Sequence, residues 1–163
     1  MDPALLDRAT DGDEGRALQE RLPVHCFGCG VLNTKGLQIR SRWQGDECVC
    51  RWQPSAEHIG HPGVVYGGTI ASVVDCHAIW TALSHTCAVE GLQLGRDTLP
   101  FAYVTGRLMV NYLKPADIAQ PLVLRARIVE HGTRKSIVSC QVTQGSDTCA
   151  TAEVVVVRIA GMP

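Results

Sequence analysis

One acidic residue, Asp75, interrupts the apolar run VVYGGTIASVVDCHAIW, which spans residues 64–80. The glycine pair Gly67-Gly68 comes directly before the part of this run in which apolar residues have helical spacing. The first turn of a helix presents N–H groups without intrahelical acceptors, and glycine lets a ligand approach them closely. A carboxylate can activate a nucleophile and such N–H groups can stabilise an oxyanion. These residue types in this order therefore mark a candidate catalytic site.

The spacing of Asp75 and Gly67 restricts how they can act together. Eight positions separate them, which corresponds to about 12 Å along an α-helix at about 1.5 Å per residue. That is a long separation for two groups that act on one carbonyl. The small neighbours Ala71 and Ala78 would leave space beside the carboxylate for a bound molecule.

We predict one long helix from Gly67 to about Val89. Its apolar residues recur at three- and four-residue spacing, and few of its residues are charged. A helix this apolar must be largely buried, which requires a sheet to cover it.

Six strands are predicted around this helix. Two precede it, with a hairpin turn at residues 45–46, and four follow it, with turns at residues 131–132 and in QGSD. The predicted strands span residues 36–43, 47–52, 100–113, 121–131, 134–145 and 148–159. A weak or broken helix is predicted over residues 3–20. This order indicates an α+β fold in which a curved antiparallel sheet of about six strands wraps the long helix.

Composition argues against several function classes. The 163 residues suit one domain or one subunit of a small oligomer. The net charge of −1 provides no general basic surface for nucleic acid or anionic lipid, and no window approaches the roughly 18 apolar residues of a membrane helix. The charged N-terminus lacks the apolar core of a signal peptide. We therefore expect a cytoplasmic protein in which the eight cysteines are free thiols.

Three motifs carry a family resemblance: PGVVYGGTIASVVD at 62–75, VNYLKPA at 110–116 and CFGCGVLNTKGLQI at 26–39. Together they resemble the hotdog-fold acyl-CoA thioesterases related to the phenylacetate-pathway enzyme PaaI. The resemblance covers about residues 25 to 159. We accordingly assign residues 1–24 to an N-terminal extension and residues 25–163 to a hotdog domain. The chain departs from the family at Tyr66, where a histidine is usual.

The resemblance implies hydrolysis of an acyl-CoA thioester to a free acid and CoA, with no metal or other cofactor. It also implies a homodimer, often paired into a tetramer, whose active sites use both subunits. Asp75 of the central helix would act as base or nucleophile. The N–H of Gly67 from the other subunit would polarise the carbonyl, with Gly68 beside it in the substrate site. Such an arrangement accounts for the long separation of the two residues along one helix.

Further site residues are implied by the same resemblance. Thr105 matches a Ser or Thr that orients the attacking water in relatives, although threonine is also simply a good strand residue. Either His58 or His61 would help to bind the carbonyl or the water. Tyr66 replaces a histidine that supports the loop, and its hydroxyl can also form hydrogen bonds.

The CoA phosphates would require cations at the mouth of the pocket. Lys114, Arg134 and Lys135 lie near predicted strand ends or turns, where they could meet a phosphate. The alternative interpretation of each is an ordinary solvated charge in a turn.

Two other functions are compatible with these residues. A hotdog dehydratase acting on 3-hydroxyacyl thioesters would pair His61 with Asp75, because His61 precedes Asp75 by about the spacing of those enzymes. A non-catalytic hotdog dimer that binds an acyl-CoA is the third hypothesis, and Tyr66 in place of histidine favours it.

The cysteines raise the question of a zinc site. Cys26-x-x-Cys29 has the spacing of half such a site, and Cys48-x-Cys50 would have to supply the other half. However, Cys48 and Cys50 have the spacing of residues on one face of a strand, where a thiol acts as a small apolar group. We therefore predict a glycine-shaped turn with a buried thiol, and no metal.

Overall fold

The computed structural model describes residues 15–161. Its helices are α1 (Leu18–Arg21) and α2 (Gly67–Glu90), and a 3-10 turn spans Ala56–His58. Its strands are β1 (Ser41–Gln44), β2 (Glu47–Trp52), β3 (Ile59–His61), β4 (Val64–Val65), β5 (Phe101–Tyr112), β6 (Leu122–His131), β7 (Lys135–Gln144) and β8 (Asp147–Ala160). No helix among residues 15–161 is long and apolar enough to cross a membrane.

Six strands form one antiparallel sheet in the order β1-β2-β6-β7-β8-β5, and α2 packs against it. The predicted α+β architecture, a curved sheet of six strands around one long helix, is therefore confirmed. Among residues 15–161, β5 pairs only with β8, so no strand of that part of the chain covers the other edge of this twelve-residue strand.

Helix α2 is the centre of the hydrophobic core. From Trp80 to Ala88 every residue is buried, which is the consequence of an apolar helix with no polar face. The helix ends at Gly91, whose left-handed backbone (φ 70°) lets its N–H reach the carbonyls of Cys87 and Ala88. The helix predicted from Gly67 to about Val89 thus begins where predicted and ends at Glu90, one residue later than predicted.

Two predicted elements are shorter in the structure. The strand predicted from residue 36 begins only at Ser41, because Gln38 has a positive φ of 54° and bends the chain. The side chain of Gln38 instead donates to the carbonyl of Gly30, 2.6 Å away. Of the predicted helix over residues 3–20, residues 3–14 lie outside the described part of the chain. Of the remaining residues 15–20, only 18–20 are helical, as the first residues of α1.

A buried polar network joins α1 to α2. Gln19 accepts from the backbone N–H of Ser41 and donates to its hydroxyl. The Ser41 hydroxyl lies 2.8 Å from His77 Nδ1, and His77 Nε2 lies 3.1 Å from the carbonyl of Cys48. Since a carbonyl can only accept, Nε2 carries the ring proton and Nδ1 accepts from Ser41. His77 is therefore a structural histidine.

The burial of His77 makes stability depend on pH. Burial lowers the pKa of His77 from its ordinary 6.5 to about 4, so the folded state favours the neutral ring. The unfolded chain binds the proton first as the pH falls. His77 therefore contributes its full stabilisation above about pH 6.5 and loses about 1.4 kcal/mol per pH unit from there towards pH 4. We expect His77→Gln to flatten this loss in urea unfolding at pH 7 and pH 5.

The matched control is His61→Gln, since His61 is exposed. It should keep the wild-type dependence of the unfolding free energy on pH. An unchanged pH dependence in His77→Gln would show that the ring of His77 is not the titrating group.

Candidate active site

Asp75 of α2 and Thr105 of β5 form one half of the candidate site. The Thr105 hydroxyl donates a hydrogen bond to Asp75 Oδ1. The carboxylate is partly buried, whereas Thr105 is exposed on the outer strand of the sheet. Oδ1 of the carboxylate is thus held by a hydroxyl donor from the neighbouring strand.

A β-bulge in β5 positions Thr105. Thr105 pairs with Val156 and Arg107 pairs with Val155, so Gly106 is the extra residue. A Cβ on Gly106 would lie 2.8 Å from the side chain of Val157, so glycine is needed there. The bulge reverses the alternation of the strand. Odd-numbered residues face α2 before it and even-numbered residues face α2 after it.

Gly67 and Tyr112 form the other half. Because of the bulge, the Tyr112 ring faces the helix, and its hydroxyl donates to the carbonyl of Gly67 at 2.7 Å. A Cβ on Gly67 would lie 3.3 Å from that ring, so the two residues are in close contact. As residues of the first turn of α2, Gly67 and Gly68 have N–H groups with no acceptor inside the helix. Tyr112 was not singled out from the sequence, although the VNYLKPA motif contains it.

Tyr66 is the residue that precedes α2, and its side chain makes no capping hydrogen bond. Its ring folds over Gly68, where a Cβ would lie 2.4 Å from ring atom Cε1. Only glycine fits beneath the ring in this position. Tyr66 and Tyr112 are both more than half exposed. Partial burial, with a smaller contribution from Tyr66, raises the pKa of Tyr112.

A pocket of about 360 Å³ lies next to Gly67. Its walls are mostly apolar and include Val64, Ile70 and Leu113, and Lys114 lies among the lining residues. Asp75 does not line it. Within one chain, the pocket beside the helix N-terminus and the carboxylate with its threonine are therefore two separate candidate half-sites, because neither Asp75 nor Thr105 lines the pocket.

The two loop histidines differ in their surroundings. His58 Nδ1 lies 2.9 Å from the backbone nitrogen of Ser55 and 3.1 Å from its hydroxyl, and the His58 ring lies 4.9 Å from that of Trp52. These contacts hold the loop. His61 is exposed in β3, a short strand that pairs with β4. No hydrogen bond between residues 15 and 161 links either histidine to Asp75.

The three candidate phosphate-binding cations do not form one cluster within the chain. Lys114 pairs with Asp147 at 2.5 Å, beside the β7–β8 turn. Arg134 and Lys135 lie at the β6–β7 turn, at the opposite end of β7. The ion pair raises the pKa of Lys114, since Asp147 hydrogen-bonds and attracts the charged ammonium.

The structure also shows which cysteines lie together. Cys48 and Cys50 are buried core residues of β2, as expected. The thiol that lies beside Cys26 and Cys29 belongs instead to Cys76, the residue after Asp75. The loop sequence gave no signal for this contact, because fifty residues separate Cys76 from Cys26.

Comparison with known proteins decides the family. A family model described as the thioesterase superfamily matches residues 62–151, more than half of the chain, and this range contains both half-sites. The chain belongs to the thioesterase superfamily. It is 30% identical over 94 residues to the Rattus norvegicus acyl-coenzyme A thioesterase THEM4. That match covers 58% of this chain and 34% of the relative, so the chain spans about a third of the relative's length.

Several solved structures share the fold. A thioesterase superfamily protein from Shewanella loihica is 29% identical, with a TM-score of 0.59 over 86% of this chain and 96% of that one. The PaaI protein of the E. coli phenylacetic acid degradation operon is 16% identical, with a TM-score of 0.63 over 77% and 83%. A Streptococcus mutans protein bound to acetyl CoA is 17% identical, with a TM-score of 0.63 over 86% and 100%. The resemblance to PaaI-like hotdog thioesterases is therefore confirmed.

Proposed function

We propose that this protein hydrolyses an acyl-CoA thioester to a free acid and CoA. The observation that carries the proposal is the pair of half-sites: a hydroxyl-supported carboxylate on α2, and an apolar pocket beside the N-terminus of the same helix. Membership of the thioesterase superfamily supports the reaction class. The rat acyl-coenzyme A thioesterase and the acetyl CoA complex of the S. mutans protein support CoA as the carrier.

In the proposed reaction, a water molecule attacks the thioester carbonyl carbon. Asp75 Oδ2 accepts the proton of that water while the Thr105 hydroxyl holds Oδ1. The N–H of Gly67 donates to the carbonyl oxygen as it becomes negative, and a preorganised donor of this kind is worth about 3 kcal/mol. The C–S bond then breaks, and CoA leaves as the thiol after its sulfur takes the proton that Asp75 had accepted. If Asp75 attacks directly, CoA leaves as the thiolate, and water then hydrolyses the mixed anhydride, which releases the acid and regenerates the Asp75 carboxyl group, whose proton goes to the thiolate.

The complete site requires two subunits. Asp75 and Gly67 are about 12 Å apart along α2, at about 1.5 Å per residue. Strand β5 offers a free edge, and the side chains of Met109, Tyr112 and Leu113 along it are about half exposed. A second copy that pairs antiparallel with β5 would satisfy that edge and cover these apolar groups.

The contacts of β5 support one register for this proposed pairing. Asp75 contacts Thr105, and Gly67 contacts Tyr112. A two-fold axis between Leu108 and Met109 places Thr105 opposite the partner's Tyr112. Asp75 then faces Gly67 of the partner subunit, and each dimer has two equivalent sites.

The same register brings the cations to one place. Lys135 pairs with Val157, and Val157 pairs with Val104. Lys135 therefore lies in the same row of the sheet as Val104, which is next to the strand residue that contacts Asp75. Across the proposed axis, Val104 lies opposite the partner's Leu113, next to the partner's Lys114. Lys114, Arg134 and Lys135 would then lie at the same end of the dimer seam. Lys135, like Val104, is on the face of the sheet turned away from α2, so these cations would meet the CoA phosphates at the outer mouth of the site and not beside Asp75. We also propose that two dimers form a tetramer, and that the protein acts in the cytoplasm, where its thiols stay reduced.

Replacement of the carboxylate tests the proposed function. Asp75→Asn preserves size and removes the base, so kcat for free-thiol release should fall by a factor of about 10² to 10⁴. The assay is release of CoA thiol from a panel of short, long and aromatic acyl-CoAs. His61→Ala serves as the control and should keep most of the activity.

Two results would contradict this proposal. Loss of activity in His61→Ala, with turnover of 3-hydroxyacyl thioesters to unsaturated products, would favour a dehydratase. Acyl-CoA that stays bound and intact on the wild-type dimer, across the panel, would favour a binding protein without catalysis.

The hydroxyl of Thr105 has a separate test. Thr105→Ser keeps the donor and should retain kcat within a few-fold. Thr105→Val keeps the shape but loses the hydrogen bond to a charged group, which is worth about 1.5–3 kcal/mol. We expect kcat to fall roughly ten- to a hundredfold. Equal activities of the serine and valine variants would show that the Thr105 hydroxyl has no role in catalysis and that Thr105 is only a structural residue of the strand.

A further inference from the structure

Three thiols meet where the loop before β1 contacts α2. We call Cys26, Cys29 and Cys76 the thiol cluster. Their Sγ atoms all lie within 4.8 Å of one another, and those of Cys26 and Cys76 are 3.5 Å apart. Cys26 is exposed, Cys76 is half-buried and Cys29 is buried, so the cluster opens to solvent on one side.

These separations are those of ligands around one metal ion. In a tetrahedral thiolate site with Zn–S of about 2.3 Å, neighbouring sulfurs are about 3.8 Å apart. Cys26 and Cys29 are also spaced C-x-x-C, with a glycine directly after the second cysteine. The third ligand comes from a rigid and buried helix, so binding requires little reorganisation of the backbone.

The loop is shaped around the sulfur atoms. A Cβ on Gly28 would lie 2.4 Å from Cys76 Sγ, so any other residue would push the thiols apart. Backbone hydrogen bonds fix the turn: the N–H of Gly30 donates to Cys26 at 2.9 Å, and that of Ile39 donates to Gly28 at 3.1 Å. The ligand geometry is therefore held by the fold.

Groups around the cluster favour thiolate sulfur. The indole N–H of Trp80 donates to Cys29 Sγ at 3.0 Å. The guanidinium of Arg40 donates to the carbonyl of Cys29 at 3.3 Å and brings a positive charge to the buried side. Donors and charges of this kind orient metal-bound thiolates and stabilise their negative charge.

We propose that Cys26, Cys29 and Cys76 form a site for a thiophilic divalent cation, with Zn²⁺ as the natural occupant. The three thiols lose their protons and bind the ion as thiolates, and a solvent molecule completes the tetrahedron beside Cys26. The ion would link the N-terminal loop to α2 one residue away from Asp75. It would therefore stabilise the turn of the helix that carries the candidate catalytic acid.

Cobalt provides a direct test on the reduced full-length protein, because Co²⁺ in a tetrahedral thiolate site is coloured. Titration with Co²⁺ should produce thiolate-to-cobalt charge-transfer absorption and visible d–d bands that saturate at one ion per chain, and Zn²⁺ should abolish both. Cys26→Ser changes an exposed residue and should fold normally. It should weaken Co²⁺ binding by more than about 100-fold, beyond the 10–100-fold effect of groups outside the ligand shell.

The control is Cys87→Ser, which changes a fully buried cysteine of the same helix outside the thiol cluster. It should retain the cobalt bands and the rise in Tm on Zn²⁺ addition, whereas Cys26→Ser should lose both. The proposal fails if the reduced wild type gives no thiolate–cobalt bands. It also fails if Cys26→Ser binds Co²⁺ as tightly as Cys87→Ser.

Discussion

The packing of β5 along the apolar helix α2 is the constraint on which the candidate site depends. Three hydroxyl contacts join the two elements: Tyr103 with Thr86, Thr105 with Asp75, and Tyr112 with the carbonyl of Gly67. The helix runs antiparallel to the strand, so each turn of α2 meets a defined position of β5. Burial of the helix supplies the free energy, and the polar contacts select the alignment. The position of Asp75 and the position of the free strand edge are therefore set together.

Most of the architecture could be predicted from local sequence patterns. The apolar spacing after Gly67 identified the long helix, and the strand patterns with their turn residues identified six strands. These patterns are strong because burial acts on every residue of an element. The GG…D arrangement likewise drew attention to the residues on which the proposed function rests, because helix N-termini and isolated acids are chemically distinctive.

The features that the sequence missed depend on contacts between distant segments. The bulge at Gly106 changes which residues of β5 face the helix, and alternation alone gives no sign of it. Tyr112 meets Gly67 only because of that bulge. Cys76 reaches the loop of Cys26 only through the packing of the loop on α2. In each case the residue type is common in its helix or strand, so the local sequence gives no signal. Its contact partner is determined by the tertiary fold.

Complementation between two inactive variants tests most directly whether each active site combines Asp75 of one subunit with Gly67 of the other. Gly67→Pro removes the N–H at the first position of α2, where proline fits and where Tyr66 already has a compatible backbone (φ −59°, ψ 127°). Gly67→Ala is its control, since it adds a Cβ and keeps the N–H. Subunit exchange between Asp75→Asn and Gly67→Pro should restore about a quarter of wild-type thiol release, because half the dimers are mixed and each has one intact site. Activity that stays at the level of the separate variants, in samples shown to contain mixed dimers, would contradict a site shared between subunits.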